Sequence, residues 1–266
     1  MLLFKPETLP FCRQFSIANM EYQANFRFYD SLNDFLPKWN KESQIEYYFD
    51  GKQAVKDAIE ALGIPHTEVA LILIDQEPVT FQATLKPAAL VEVFPLHFNF
   101  PAIETNLLLP PFPEPRKFVL DVHLGKLAKA LRMLGFDTLY RNDYSDRTLA
   151  ELALKENRII LTRDVDLLKI KTITWGYWLR SQHLPEQLAE VIRYFHLQNQ
   201  FQPFSRCLEC NGLIREVAKE KVLERLPPNT RQYFNEFYQC ENCGNVYWKG
   251  SHFERMLQFV ENFRQD

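Results

Sequence analysis

No run in the 266-residue chain approaches the roughly 18 apolar side chains that a membrane span needs. Internal repeats at the periods of solenoids are lacking, and so are low-complexity tracts. These absences exclude an integral membrane protein, a fibre and a disordered chain. The opening stretch MLLFKPETLPFCRQF lacks the unbroken apolar run of a signal peptide, because charges and prolines interrupt it. Cysteine is scarce at 5 residues, and four of them fall in two CxxC pairs. That pattern excludes a secreted disulfide scaffold and fits a metal in a reducing compartment, so a cytoplasmic protein is expected. What is present is ordinary for a folded chain: 46% hydrophobic, 24% charged and a generous 14% aromatic residues. The length accommodates two or three domains.

The net charge of −3 hides an asymmetry. Residues 1–115 carry 8 basic and 15 acidic groups, residues 116–200 carry 14 and 10, and residues 201–266 carry 9 of each. An acidic front half is a poor nonspecific clamp for nucleic acid, whereas the basic middle could hold phosphates.

The clearest seam is PAIETNLLLPPFPEPRK, with prolines at 101, 110, 111, 113 and 115. Proline lacks a donor and biases its predecessor to extended geometry, so 101–116 reads as a linker. Before it, EYQANFRFY and QIEYYFDG alternate like strands. Val55, Ala58, Ile59 and Leu62 recur at helical spacing, and EVALILID and ALVEVFPL read as strands again. Strand, strand, helix, strand, strand over 20–100 predicts an α+β roll of the ubiquitin-like kind. Residues 1–19 join this pattern poorly and read as an N-terminal arm, or as sequence upstream of a true start at Met20. After the linker, residues 117–200 alternate strand and helix: KFVLDV, then a helix with Leu124, Leu127, Ala128, Leu131 and Leu134 on one face, DTLYRN, a helix over 147–157 capped by Asp146, RIILTRD, the short helix VDLLKIK, TITWGYWL and the helix PEQLAEVIRYFHL. Strands joined by single helices require right-handed crossovers and a parallel sheet. Residues 201–266 hold the cysteine pairs.

Ligands of open parallel sheets bind outside the carboxyl ends of the strands. Asp121 closes the first strand of this domain and Asp164 the third; Asp143 and Asp146 follow the second, and Asp166 lies two residues beyond Asp164. Packing these acids together raises their pKa values unless a cation neutralises them. A hard ion such as Mg²⁺ or Mn²⁺ prefers oxygen ligands and suits phosphodiester cleavage by an activated water. An apolar strand offers no structural reason for Asp121. Asp164 and Asp146 could instead cap helices, and Asp143 and Asp166 could be turn or surface residues. Lys126, Lys129 and Arg132 lie beyond the apolar stripe of their helix, where they could steer a phosphate backbone or form a solvated face. Arg163 adjoins Asp164 and is a further phosphate contact.

Cys207-x-x-Cys210-Asn-Gly and Cys240-x-x-Cys243-Gly are two knuckles that can bend around one metal. Four thiolates close a tetrahedral zinc site, which is structural because no position stays open. The alternative is a dithiol redox pair, weakened by the presence of two matching pairs. Cys12 is left over as a free thiol. Just after the second knuckle, Tyr247, Trp248, Lys249 and His252 would suit base stacking and phosphate contact, or would pack the ribbon onto the neighbouring domain.

FVLDVHLGKLAKALRMLGFDTLY, IILTRDVDLL and CxxC…CxxCGNVYWKGSHFERM, in this order and spacing, closely resemble the Mut7-C domain, a PIN-like ribonuclease fold with a zinc ribbon, over residues 116–258. The front part resembles the ubiquitin-like (β-grasp) domain that accompanies Mut7-C in many bacterial proteins. It also looks like the small sulfur carriers, but the Gly-Gly end that carrier chemistry needs is lacking. The resemblance implies catalytic Asp121, Asp146, Asp164 and Asp166, with Asp121, Asp146 and Asp164 holding Mg²⁺ or Mn²⁺, and RNA as substrate, transfer RNA being the first candidate. PIN nucleases typically gather four acids, so the metal count stays open. PIN relatives commonly dimerise, so a homodimer is among the partners the resemblance admits, as is a protein partner recruited by the ubiquitin-like domain.

Two readings of function follow. In the first, a metal-dependent ribonuclease cuts RNA to leave a 5′-phosphate and a 3′-hydroxyl, with Arg163 or Lys126 stabilising charge. In the second, the ribbon binds RNA and the acids are remnants or caps. A phosphoaspartate enzyme would need a second aspartate two residues after Asp121, and His123 stands there.

Overall fold

Alternating apolar residues make Tyr22–Phe28 a strand with Ala24, Phe26 and Phe28 buried on one side. The structure is a computed structural model that describes residues 21–99 and 107–264. The linker residues 100–106, the N-terminal residues 1–20 with Cys12, and 265–266 lie outside the described residues. The chain divides into two compact units, one ending at Leu108 and one running from Leu109, with Pro65–Glu68 counted in the second.

In the first unit β1 (Tyr22–Phe28), β2 (Gln44–Phe49), α1 (Val55–Ala61), β3 (Leu71–Ile74), β4 (Glu77–Val79) and β5 (Leu90–Phe94) build one mixed sheet in the order β2-β1-β5-β3-β4. β1 and β5 run parallel at its centre and all other pairs are antiparallel. Val55, Ala58 and Ile59 of α1 share a core with Phe26, Phe28, Ile72 and Val91. This is the β-grasp arrangement. The edge strand β4 escapes a periodicity reading because it is short, carries Pro78 and buries no side chain completely. A 3-10 turn over Asp30–Phe35 is likewise invisible to it.

The second unit begins with β6 (Lys117–Leu120), α2 (Gly125–Met133), β7 (Asp137–Leu139), α3 (Asp146–Glu156), β8 (Ile159–Thr162), β9 (Gly176–Trp178) and α4 (Leu184–Tyr194). These four strands are all parallel, in the order β7-β6-β8-β9. β6 and β8 are apolar because helices cover both faces of the sheet. Phe118, Leu120, Ile159 and Leu161 pack with Leu127 and Leu131 of α2 and Leu188 and Val191 of α4. Val119 and Ile160 point the other way, toward Leu149, Ala150 and Ala153 of α3. Each such fully buried Leu or Phe contributes roughly 1.5–3 kcal/mol. Two residues after α2 comes Gly135, where φ is +99° and an added Cβ would stand 2.3 Å from the Gln202 carbonyl, so only glycine fits.

Two local expectations change. The cap of α3 is Ser145, whose Oγ accepts from the Thr148 amide at 3.2 Å; Asp146 is the first helical residue instead. The stretch VDLLKIK forms only a 3-10 turn at Leu167–Lys169.

β10 (Ile214–Val217), α5 (Lys219–Val222), α6 (Pro228–Tyr233), β11 (Phe237–Cys240), β12 (Val246–Tyr247) and α7 (Ser251–Asn262) complete the unit. β10, β11 and β12 form a small antiparallel sheet beside the cysteines. Val260 of α7, with Phe263 just after it, enters the core of the parallel-sheet domain. Among the described residues no helix is long and apolar enough to cross a membrane.

Candidate functional site

β6 leads through α2 to β7 on one side of the sheet, and β7 leads through α3 to β8 on the other. The chain therefore reverses its direction of growth between β6 and β8, the place where parallel sheets open a crevice. Asp121 directly follows β6 there. Its amide donates to the Leu161 carbonyl at 3.1 Å, which extends the strand pairing by one residue. Its Oδ1 accepts from the Val122 amide at 2.6 Å, capping the turn Val122–Leu124, and its Oδ2 accepts from the Thr162 hydroxyl at 2.8 Å. Thr162 is fully buried at the end of β8, and the same Oγ1 accepts from the Asp164 amide at 2.9 Å. One hydroxyl thus ties the first aspartate to the backbone of the second. Asp164 Oδ1 accepts from the Asp166 amide at 2.8 Å.

Sequence reasoning missed Thr162, although a polar residue closing the apolar strand IILT was a signal. It also missed Tyr140, whose hydroxyl donates to the Val122 carbonyl at 2.8 Å and whose ring lies against Gly125.

The remaining acids differ from one another. Asp146, first in α3, stands on the same carboxyl edge, where a negative charge also suits the helix N-terminus. Asp166 points to solvent with 87% of its side chain exposed and pairs with Lys169 at 3.0 Å. Asp143 is held by Arg141 through two bonds of 2.9 and 2.7 Å. Among the described residues, the four ribbon cysteines are the one group of three or more His, Cys, Asp or Glu whose ligand atoms all lie within 4.8 Å of one another. Asp121, Asp146 and Asp164 do not close to that degree. Mg²⁺ usually keeps several waters and is held by one or two carboxylates. Of the three candidates, Asp121 and Asp164 are the two joined to each other, through Thr162.

The basic candidates also separate. Lys126, Arg163, Lys249 and His252 are exposed. Lys129 pairs with Glu209 at 2.7 Å. Arg132 overturns its expectation as an RNA contact: it is 3% exposed and donates to the carbonyls of Thr138, Leu208 and Glu209 at 2.9, 2.9 and 3.0 Å. Its surroundings include the first cysteine knuckle, which a helical wheel of α2 cannot show. Burial lowers its guanidinium pKa from the ordinary value, opposed by the nearby Cys207 and Cys210 sulfurs.

The knuckles are built alike. The Cys207 amide donates to Gly212 O and the Cys240 amide to Asn245 O, while Asn211 N donates to Cys207 O and Gly244 N to Cys240 O. Asn211 and Gly244 both adopt left-handed φ, +68° and +73°. At Gly212 an added Cβ would stand 2.8 Å from Cys240 Sγ, so a side chain is excluded. The Sγ–Sγ separations of 3.6 Å (Cys207–Cys243) and 3.4 Å (Cys210–Cys240) are far beyond a disulfide. They are near the roughly 3.8 Å expected for thiolates arranged tetrahedrally around zinc. The four cysteines could therefore hold zinc. Asn211 also joins this ribbon to the sheet: its Oδ1 accepts from Thr138 N at 2.9 Å and its Nδ2 donates to Asp137 Oδ1 at 2.8 Å. Asp137 in turn pairs with Arg158 at 2.7 Å and Arg206 at 3.4 Å. Burial raises its carboxyl pKa, but these bonds and charges outweigh burial and hold it below the ordinary value.

A family model described as Mut7-C RNAse domain matches residues 116–260, more than half of the chain, and one described as Mut7-C ubiquitin matches residues 21–100. No curated protein and no solved structure matches the chain.

Proposed function

Because the chain belongs to the Mut7-C RNAse domain family, we propose that it is a divalent-metal-dependent ribonuclease acting at the β6/β8 edge. The family's description as an RNAse domain supports a nuclease reading. The observation that supports hydrolysis at this edge is the chain of bonds from Asp121 through Thr162 to Asp164.

Each oxygen of Asp121 accepts one hydrogen bond from the protein, which fixes the carboxylate plane and leaves lone pairs for a ligand. Asp164 is exposed and oriented through the Asp166 amide. These two residues would hold Mg²⁺ or Mn²⁺, with Asp146 bonding to its water shell. The ion would lower the pKa of a water and neutralise charge on the phosphoryl oxygens. Hydrolysis adds water across the P–O3′ bond: the hydroxyl joins phosphorus to give a 5′-phosphate, and a proton goes to O3′ to give a 3′-hydroxyl. Arg163 and Lys126, exposed and close in sequence to Asp164 and Asp121, would meet phosphate charge. Asp166, already paired with Lys169, has the smaller role of orienting Asp164 through its amide. The four cysteines would carry a structural zinc ion.

End-group analysis tests this reading. Single-stranded RNA and transfer RNA are incubated with the full chain and Mn²⁺, and the products are sequenced. Cleavage that requires the metal and yields 5′-phosphate and 3′-hydroxyl ends is expected; absence of metal-stimulated cleavage on both substrates contradicts it.

A further inference from the structure

A cavity of about 280 Å³ is lined by residues of the ribbon sheet and α7, none of which the proposed cleavage site uses. Its aromatic lining includes Tyr238, Tyr247, Trp248 and Phe253, and its only charged lining residues are Arg206 and Lys249. Aromatic walls, a cationic rim and no carboxylate in the lining match one kind of ligand: a flat ring joined to an anion. We propose that this cavity seats one unpaired nucleotide of RNA, the base among the aromatic side chains and its phosphate at Lys249. The proposal rests on the ribonuclease reading for its choice of RNA, and adds a subsite that reading does not contain.

The chemistry of the rim separates two roles. Arg206 is turned to structural use, donating to the Asn211 carbonyl at 3.0 Å and pairing with Asp137. Lys249 pairs at 2.8 Å with Glu236 in an exposed contact, both side chains at least half open to solvent or nearly so (49% and 64%). Exposed pairs of this kind contribute little and exchange readily for a phosphate. The Lys249 ammonium also stands 6.0 Å from the Tyr238 ring centroid, which keeps the cation at the mouth. Every base has a π face, so aromatic walls accept bases without choosing among them. The Tyr247 hydroxyl lies 3.0 Å from Cys207 Sγ, which links one wall of the cavity to the cysteine cluster.

The test uses the zinc-loaded full chain with adenosine 5′-monophosphate and adenosine, neither of which has an internucleotide phosphodiester to cleave. Binding is followed by equilibrium dialysis and by the indole N–H signal of Trp248, assigned with Trp248→Phe. Saturable AMP binding that shifts this signal, with adenosine weaker by about tenfold, is expected. Lys249→Glu should remove the preference for AMP while leaving adenosine binding in place; this substitution on the exposed rim spares the core. Trp248→Ala should weaken both ligands at least tenfold, and Trp248→Phe should recover most of that loss. No saturable binding of either nucleotide, or binding that leaves the Trp248 signal unmoved, overturns the proposal. So does an apolar dye that occupies the cavity and is not displaced by AMP. Intact RNA cleavage without AMP binding overturns this subsite alone, and AMP binding without RNA cleavage overturns the ribonuclease reading alone.

Discussion

The hydroxyl of Thr162 donates to Asp121 Oδ2 at 2.8 Å, and its oxygen accepts the Asp164 amide, so one buried side chain sets the positions of both candidate metal ligands. Thr162→Val keeps the shape and removes both bonds. Buried groups left unpaired cost about 1–3 kcal/mol each. Cleavage should fall about 10–100-fold, as when partners of metal ligands are removed, and should respond to higher Mn²⁺ concentration. Thr162→Ser should retain most activity. A merely structural Thr162 would lower stability without changing the metal dependence of the rate.

Arg132 joins α2 to the first cysteine knuckle through the Leu208 and Glu209 carbonyls. Arg132→Met should destabilise the second unit by about 2–4 kcal/mol, because the buried Thr138 carbonyl and the half-buried Leu208 and Glu209 carbonyls lose a charged donor. Urea unfolding measures the loss. Zinc release to a chelator should quicken in the same variant.

Acid should weaken the contact between ribbon and sheet through Asp137. Its folded carboxyl lies below the unfolded value near 3.8. The contribution is therefore fully present above that value and is lost as pH falls through the lower folded pKa. Asp137→Asn should lower stability at pH 7 by about 1–3 kcal/mol, since the buried Arg158 keeps only its more exposed ion-pair partner Glu156. It should also flatten the decline of stability below about pH 4. Unfolding free energies of the two chains between pH 3 and 7 provide the comparison.

Removing the zinc proposed for the cysteines should release the ribbon. Elemental analysis should find one zinc per chain, and Cys240→Ser should abolish it and lower the unfolding temperature. The nucleotide cavity should be lost with it, because Tyr247 borders both.

Much of the architecture was legible in the residues. Apolar runs such as IILT and the Leu124–Leu134 stripe have periods that survive any tertiary context, and the paired CxxC knuckles specify a closed cluster. The acids at the strand ends were legible because topology alone puts residues after β6 and β8 on one edge. Asp146 and Ser145 were harder to separate, since both residue types cap helices and only the backbone shows which one does. Arg132 lay beyond local reasoning: its place on α2 looks solvated until the Leu208–Glu209 turn covers it. Thr162 was hidden for a related reason, since a threonine suits any strand and its two bonds exist only across the sheet.

The most direct test is the rate of Mn²⁺-dependent cleavage of a labelled single-stranded RNA by the parent chain and by Asp121→Asn, with zinc content and unfolding temperature matched. A fall of more than about 100-fold in the variant is predicted, beyond that expected for loss of a ligand's partner alone. An unchanged rate would contradict the assignment of the β6/β8 edge as the site of cleavage.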